Sequence, residues 1–448
     1  MTAVTFLCSL YCSEVLEDLD TTNLRMGQVL QRKKEVDENI EDDEDFSESV
    51  VDVLPYEIVM KILKLLPADD LKTAVLVCRR WRYLGEDPVL WTWCKVSYKA
   101  GCLTEMGKLS TRRLQNMQYL RVWYDEWKKG EMTQLLQAIH NLDHLREVSG
   151  LNGYNYKTVD TQLFSKVLNK LEIVAVNNIG ASEEHLQSLF ARMSQEESRI
   201  RKLNVTGNNL SSISPDVLGA AVTKLEEIRI GHTNLTREQV QAIFSHLHEK
   251  CDLTRLYIPF IDLFTVQPEI FASVVSNIEK VDIGNTKLQQ HQATELFAAT
   301  STKKARLKNL IIRGNDLSGV PATVFAKGVS HIEVIDMECA NINTQQASLL
   351  FSFLLEEKPL RKLSLIRNNL SEVDPTVLAG GVTRLQEVDL HYSSLSGEQV
   401  TCILNTCLEE NTGLTHLTVR DHPDVEVNID LIMAVKNKLG DHIIVNNI

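Results

Sequence analysis

The sequence has 448 residues, is 44% hydrophobic and carries a formal net charge of −13, so it is long enough for two or more folding units or one long repeat array. Nine of the carboxylates lie between Glu35 and Glu48, and the rest of the chain has a net charge of only −4. This balance argues against a general nucleic-acid-binding protein, because such a protein needs a basic face. The longest apolar runs are far shorter than the ~20 residues of a membrane-spanning helix, so no membrane association is expected.

The cysteines indicate the compartment and argue against a metal site. There are nine of them, an odd number, and most stand among apolar residues, which indicates reduced thiols in a cytoplasmic or nuclear protein. No pair of cysteines or histidines has the spacing of a zinc site. We therefore expect no metal or cofactor.

Residues 1–50 are predicted to be an acidic, largely disordered N-terminal segment, because 31–50 are mostly polar and acidic. Residues 51–96 then change character and predict three or four short helices. Pro55 suits the first position of a helix, and Ile58 and Ile62 continue it at helical spacing. Pro67 ends that helix, and Asp69 or Asp70 is a suitable N-cap for the next one.

Large apolar residues crowd this short helical segment, and a unit of this size cannot bury them all by itself. Either they form a surface for a partner protein, or they pack as a cap against the following domain. The residues themselves leave these two interpretations open.

The same stretch closely resembles an F-box. It has Leu54-Pro55 followed by Glu57-Ile58, and the pattern ends with Asp87-Pro88 and Leu90-Trp91. The resemblance implies that the segment binds the Skp-type adaptor of SCF (cullin–RING) ubiquitin ligases. It also implies the residues that contact the adaptor or shape its contact surface: Leu54, Pro55, Ile58, Ile62, Val77, Trp81, Leu90 and Trp91.

Residues 97–119 are predicted to be a connector, and residues 120–448 repeat themselves. The stretch from Leu360 to Leu370 fits the leucine-rich-repeat signature, and matching units begin at residues 120, 145, 171, 200, 225, 253, 278, 307, 332, 360, 385 and 414. From residue 200 the intervals alternate, so the true period is a pair of repeats of 53 or 54 residues.

The two members of each pair begin their helices differently. One type has proline at the helix start, as at Pro215 and Pro375, and the other has a capping box, as at Thr236 with Gln239. Each unit predicts one short strand and one helix that are stable only when stacked on neighbours. The expected fold is therefore an α/β solenoid with an inner parallel sheet and outer helices, similar to the ribonuclease-inhibitor-like subclass, with Ile443–Val445 as a closing strand.

The inner face of the sheet offers candidate substrate-binding residues. At the second and third positions of the repeats, charges mostly alternate in sign, which favours a cross-strand ladder of ion pairs over a binding site. The fifth, seventh and eighth positions combine aromatic residues with fixed charges, as protein-recognition surfaces do. The candidates are Tyr257, Phe260, Asp282, Arg313, Asp336, Arg367, Asp389 and Tyr392. Duplication of the repeat pair is an equally good explanation for the recurrence of Asp and Arg.

No motif for catalysis is present, so the protein is not expected to be an enzyme. The predicted function is that of a substrate receptor of an SCF-type ubiquitin ligase, with the F-box on the adaptor and the repeats on a protein substrate. The alternative is a leucine-rich-repeat scaffold or inhibitor that does not act in ubiquitination. The sequence leaves open the substrate, its modification state, the oligomeric state, the role of the acidic tract, and the choice between cytoplasm and nucleus.

Overall fold

The structure is a computed structural model. It describes residues 54–66, 68–76, 79–91, 93–97, 117–123, 130–151, 156–195, 198–302, 304–356, 358–409, 412–420, 428–440 and 442–445. The predicted N-terminal segment 1–50 and most of the predicted connector lie outside these ranges. The chain divides into two compact units, Met1–Gly150 and Leu151–Ile448.

The first unit opens with helices. They are α1 (Tyr56–Leu65), α2 (Ala68–Ala74), α3 (Arg79–Gly85) and a 3₁₀ turn (Pro88–Trp91), as the spacing of apolar residues predicts. Asp69 and Asp70 lie inside the first turn of α2, so the prediction that one of them is the N-cap is wrong. Acidic residues still suit that turn, because the N-terminal end of a helix carries a partial positive charge.

Strands follow these helices within the same unit. They are β1 (Trp93–Ser97), β2 (Tyr119–Trp123) and β3 (Glu147–Ser149), with α4 (Glu131–His140) before β3. All three run parallel, with β2 between β1 and β3. Strand β1 was not predicted. It lies at the end of the predicted F-box segment 51–96 and enters the predicted connector at residue 97, and those boundaries stay predictions.

The second unit is an α/β repeat solenoid. Strands and helices alternate from a 3₁₀ turn (Tyr156–Thr158) onward. The strands are β4 (Ile173–Ala175), β5 (Lys202–Asn204), β6 (Glu227–Arg229), β7 (Arg255–Tyr257), β8 (Lys280–Asp282), β9 (Asn309–Ile311), β10 (Val334–Asp336), β11 (Lys362–Ser364), β12 (Glu387–Asp389), β13 (His416–Val419) and β14 (Ile443–Val445). The helices are α5 (Thr161–Leu168), α6 (Glu183–Met193), α7 (Pro215–Val222), α8 (Arg237–Glu249), α9 (Pro268–Ser276), α10 (Gln290–Thr300), α11 (Ala322–Ser330), α12 (Thr344–Leu354), α13 (Pro375–Val382), α14 (Gly397–Glu409) and α15 (Ile429–Leu439).

The repeat register confirms the predicted fold class. Strands β4 to β14 lie side by side in chain order, and neighbouring strands pair in parallel. Each strand from β4 to β13 begins two residues after the repeat start that the sequence predicts. The central residue of each strand, such as Leu203 or Ile228, is buried, while the flanking positions are mostly half-buried on the other face. We call that other face the open face of the sheet.

The core lies between the sheet and the helices and is built from equivalent residues of successive repeats. Phenylalanines recur on the helices and are fully buried, among them Phe244, Phe271, Phe297, Phe325 and Phe351. Because each unit covers the apolar side of its neighbour, no single repeat is stable alone.

Buried glutamines distinguish one member of each repeat pair from the other. The predicted capping box at Thr236 and Gln239 is present, and Gln239 Nε2 also donates to the carbonyls of Leu210 and Ile213, at 2.8 and 2.6 Å. Each such glutamine therefore caps its own helix and binds the backbone of the preceding repeat. The same double role recurs at Gln292, Gln346 and Gln399.

Candidate functional site

The helices of the first unit divide the predicted adaptor-binding residues into inner and outer groups. Ile62, Trp81, Leu90 and Trp91 are between 1% and 8% exposed and form the core of the unit together with Val59, Met60 and Leu63. The Trp91 indole Nε1 donates to the Gly85 carbonyl at 2.7 Å. Of the two roles that the resemblance implies for these four residues, their burial fits that of shaping the contact surface.

The remaining predicted residues lie nearer the surface. Leu54 and Ile58 are half-buried and Pro55 is exposed, and the Leu54 carbonyl accepts a hydrogen bond from the Arg80 guanidinium. Val77 lies outside the described residues. No observation tests their contact with an adaptor, which stays a prediction.

Five other apolar side chains of this unit are exposed, and the sequence reasoning missed them. They are Tyr56, Leu65, Leu76, Tyr83 and Val89, between 49% and 77% exposed. Leu65 is the last residue of α1, and Leu76 lies beyond the end of α2 at Ala74, so helical spacing alone does not identify either residue as exposed. So many exposed apolar residues in so small a unit are typical of an interaction surface.

Asp87 interacts with one member of this group. The Tyr56 hydroxyl donates to the Asp87 carboxylate at 3.5 Å. Desolvation, together with that carboxylate, raises the pKa of Tyr56 above its ordinary value.

The open face of the second unit carries the predicted substrate-binding residues. The strand register aligns the fifth positions of adjacent repeats in one line, the fifth-position row: Tyr257, Asp282, Ile311, Asp336, Ser364 and Asp389. Three residues further along each unit is the eighth-position row: His232, Phe260, Asn285, Gly314, Cys339, Arg367 and Tyr392. Every member of the eighth-position row has a left-handed backbone, with φ between +52° and +66°.

At one end of these rows, aromatic and charged side chains pack together. The Arg229 guanidinium lies over the Tyr257 ring at 4.3 Å, so Tyr257 is half-buried rather than exposed as the sequence suggested. Phe260 is 53% exposed, and its ring stacks on that of His232 with the centroids 4.1 Å apart.

The ion pairs beside Tyr257 are structural. Glu227 is 8% exposed and accepts from Arg229 at 2.9 Å and from Arg255 at 3.1 Å. Burial raises the pKa of Glu227, but the hydrogen bonds from the two arginines outweigh it and hold that pKa below its ordinary value. Arg255 and Glu227 lie on adjacent strands at third positions, as the predicted cross-strand ladder requires, and Lys362 pairs with Glu387 in the same way at 2.6 Å.

At the other end, Tyr392 is 48% exposed and lies between two neighbours. The His391 ring stacks on it at 4.8 Å, and the Arg367 guanidinium lies 5.2 Å from its ring centroid. Arg367 also pairs with Glu338 at 2.8 Å. The structure thus brings together two of the predicted residues, Arg367 and Tyr392, and adds His391 and Glu338 to them.

Three aspartates of the fifth-position row, Asp282, Asp336 and Asp389, lie on strands β8, β10 and β12. The carboxylate of Asp282, 8% exposed, accepts the Gly284 N–H at 3.0 Å, and Asp336 and Asp389 bind the N–H two residues on in the same way. Burial raises the pKa of Asp282, against the opposing effects of the Gly284 N–H and of Arg313, while Asp336 raises it further. Arg313 therefore lies near Asp282 but forms no ion pair within the described ranges.

Two further tests of function give negative results within the described part of the chain. No group of three or more His, Cys, Asp or Glu is arranged to hold a metal ion. Among the same residues, no helix is both long and apolar enough to cross a membrane.

A family model matches the helical part of the first unit, from α1 to the 3₁₀ turn at Pro88–Trp91, which we call the helical unit. The F-box-like family matches residues 51–94. Among solved structures, the chain is similar to a chain in the crystal structure of the Rad7 and Elc1 complex in yeast, with a TM-score of 0.47 and 14% identity over 89% of this chain and 93% of that chain. No curated protein matches the sequence. The stretch that the F-box-like family matches therefore lies in the first unit, and the second unit is an α/β repeat solenoid.

Proposed function

We propose that the protein is the substrate-recognition subunit of an SCF-type (cullin–RING) ubiquitin ligase. The F-box-like domain holds a Skp-type adaptor, and the open face of the solenoid holds a protein substrate. The observation that carries this proposal is the set of five exposed apolar side chains on the helical unit that the F-box-like family matches. We assign the complex to the cytoplasm or the nucleus, where thiols stay reduced.

The mechanism follows from rigidity and proximity, and it requires no catalytic residue in this chain. Parallel strands pack on helices, and in every second repeat from Gln239 to Gln399 a buried glutamine binds the backbone of the preceding repeat. The result is a solenoid that holds its recognition surface at a fixed distance from its own ends. Binding a substrate beside a charged conjugating enzyme raises the local concentration of the acceptor lysine.

Co-purification with a Skp-type adaptor tests the proposal. The full chain should retain the adaptor, and Leu76→Asp and Tyr83→Asp should each abolish retention, because a charge then enters an apolar contact. Phe264→Asp is the matched control, since Phe264 is also exposed, at 54%, but lies in the solenoid. Both interface side chains are exposed, so their variants should keep the wild-type unfolding temperature.

The variant Leu54→Ala/Pro55→Ala tests the residues that the F-box resemblance implies. A wild-type chain that fails to retain the adaptor would refute the ligase function and leave a leucine-rich-repeat scaffold. If Phe264→Asp weakens adaptor retention as much as Leu76→Asp does, the assignment of the adaptor-binding surface to the helical unit is also contradicted.

A further inference from the structure

This inference rests on the proposed function and names the class of substrate. It begins with the eighth-position row, where the backbone is left-handed at every residue from His232 to Tyr392 in the row. Glycine adopts that conformation without strain, and glycine occupies the equivalent position at Gly207 and Gly314, with φ of +74° and +66°. Phe260 and Tyr392 instead hold φ of +62° and +53°, which costs about 1–2 kcal/mol per residue relative to an ordinary backbone.

Burial within the chain does not offset this cost, because Phe260 and Tyr392 are about half exposed. Each ring is nevertheless held in place, Phe260 by His232 at 4.1 Å and Tyr392 by His391 at 4.8 Å. Strained residues that remain exposed are typical of binding sites. We call these two rings the aromatic platforms.

The aromatic platforms lie five repeats apart in the sequence, which corresponds to about 24 Å at the usual spacing of parallel strands. Asp282 and Asp336 lie between them in the fifth-position row, and Asp389 lies on the strand that leads to Tyr392. Within the described ranges none of these three carboxylates forms an ion pair. The neighbouring cations are mostly engaged elsewhere, Arg367 by Glu338 and Lys362 by Glu387, and Arg313 stands beside Asp282 without pairing.

The spacing of the aspartates selects a conformation for a complementary ligand. They occupy every second strand, so their Cα atoms lie about 9.6 Å apart, with Ile311 and Ser364 on the strands between them. A polyproline II segment rises ~3.1 Å per residue and has three residues per turn, so every third side chain points the same way at a spacing of ~9.3 Å. An ordinary β-strand does not fit, because its residues i and i+3 point to opposite faces.

We propose that the open face of the solenoid binds an extended, polyproline-type segment of the substrate that carries Lys or Arg at every third position. The basic side chains face Asp282, Asp336 and Asp389. Apolar or proline residues at the two ends of the segment pack on the aromatic platforms.

Fluorescence anisotropy with the full chain and three labelled nonapeptides tests this proposal. The peptides are PPKPPKPPK, its isomer PPPKKKPPP with the lysines adjacent, and the acidic counterpart PPEPPEPPE. The first should bind about tenfold more tightly than the acidic peptide and about threefold more tightly than its isomer, since only its register matches the aspartates. Equal binding of the two lysine peptides, tighter binding of the acidic peptide, or no binding of any peptide would overturn the proposal.

Variants separate a binding role from a structural one. Asp336→Asn should weaken binding of PPKPPKPPK about fivefold, whereas Asp262→Asn should not, because Asp262 pairs with Lys287 outside both rows. Phe260→Gly should weaken binding without lowering the unfolding temperature, since glycine relieves the left-handed strain; a fall in stability with unchanged binding would refute the platform. Phe264→Ala, equally exposed, should leave binding unchanged.

Adaptor retention by the same preparation separates this inference from the proposed function. A chain that holds the adaptor but discriminates among none of the peptides overturns the inference alone. A chain that discriminates among the peptides but does not hold the adaptor overturns the ligase function instead.

Discussion

Replacing Gln346 with alanine should destabilise the solenoid far more than the loss of an ordinary polar residue. Gln346 is fully buried, and its Nε2 donates to the Leu317 and Val320 carbonyls, both at 2.8 Å. Its Oε1 accepts the Asn343 N–H at 2.9 Å. Alanine removes the side-chain partner of the Val320 carbonyl and the Asn343 N–H in an apolar region, whereas the Leu317 carbonyl still accepts the Val320 N–H at 3.0 Å.

The magnitude follows from the number of orphaned groups. Each buried, unsatisfied backbone group costs about 1–3 kcal/mol, so the loss of a partner at the Val320 carbonyl and the Asn343 N–H gives an expected sum of about 3 kcal/mol. Urea unfolding followed by circular dichroism measures the change. Hydrogen exchange should place the loss of protection at the junction between the repeats that begin at residues 307 and 332.

Gln187→Ala is the matched control for this prediction. Gln187 also donates to one backbone carbonyl of a neighbouring repeat, that of Ser212 at 2.9 Å, but in an exposed position, so its loss should stay within about 0.5 kcal/mol. Gln346→Glu should be worse than alanine at neutral pH, because a carboxylate oxygen then faces two carbonyl oxygens. If Gln346→Ala and Gln187→Ala lower the free energy of unfolding equally, the reasoning is refuted.

Three further predictions concern charge, backbone strain and the helical unit. Asp282→Asn should raise the free energy of unfolding at pH 7. The pKa of Asp282 is raised in the folded protein, so folding disfavours its ionised carboxylate. The native protein therefore loses stability as the pH rises above the unfolded pKa of about 3.9, at which an Asp carboxyl begins to ionise. In urea titrations at decreasing pH, the difference in free energy of unfolding between Asp282→Asn and the wild type should vanish toward that pH. A difference that persists there would show that ionisation of Asp282 is not its cause. Gly314→Ala should cost more than Gly180→Ala in the same assay, since both have positive φ but only at Gly314 would the Cβ lie 2.1 Å from Asn285 Oδ1; equal losses would show that the contact relaxes freely. Trp91→Phe should lower the thermal stability of the helical unit by about 1–2 kcal/mol through loss of the 2.7 Å hydrogen bond to Gly85, and an unchanged melting curve would contradict it.

The fold was largely predictable because the same pattern of apolar residues recurs in many repeats. Leucines such as Leu203 and Leu363 must be buried for a strand to cover a helix, and the same spacing recurs in every unit, so each strand start from β4 to β13 was found. Strand β1 was missed because Trp93–Ser97 belongs to no repeat, and a single short run with tryptophan and valine fits a helix end as well as a strand. The capping boxes at Gln289 and Asn343 were missed because neither begins with Ser or Thr, although their N3 residues, Gln292 and Gln346, match those that were found.

The helical unit shows a different limit. Helical spacing identifies which apolar residues share a face, and it placed Ile58 and Ile62 together correctly. It does not say whether that face points inward or toward a partner. Ile62, Trp81, Leu90 and Trp91 turn inward, and the exposed apolar residues, such as Leu76 and Tyr83, are those left over once the core is filled. Only the three-dimensional structure shows which apolar residues fill the core and which remain exposed.

On the open face, the repeats themselves distinguish function from duplication once they are compared column by column. Asp282, Asp336 and Asp389 stand at the same place in three successive pairs, so copying one ancestral pair accounts for them as well as binding does. Phe260 and Tyr392 are different. Their counterparts one pair earlier are Gly207 and Cys339, and the column as a whole requires a left-handed backbone. Copying would have retained an unstrained glycine in place of Phe260, which costs about 1–2 kcal/mol there, and a small cysteine in place of Tyr392, which adds a large exposed ring to a backbone that is already left-handed. The aromatic platforms are therefore the stronger sign of a binding surface. The aspartates support a binding role because they lie in the repeats that connect the two platforms.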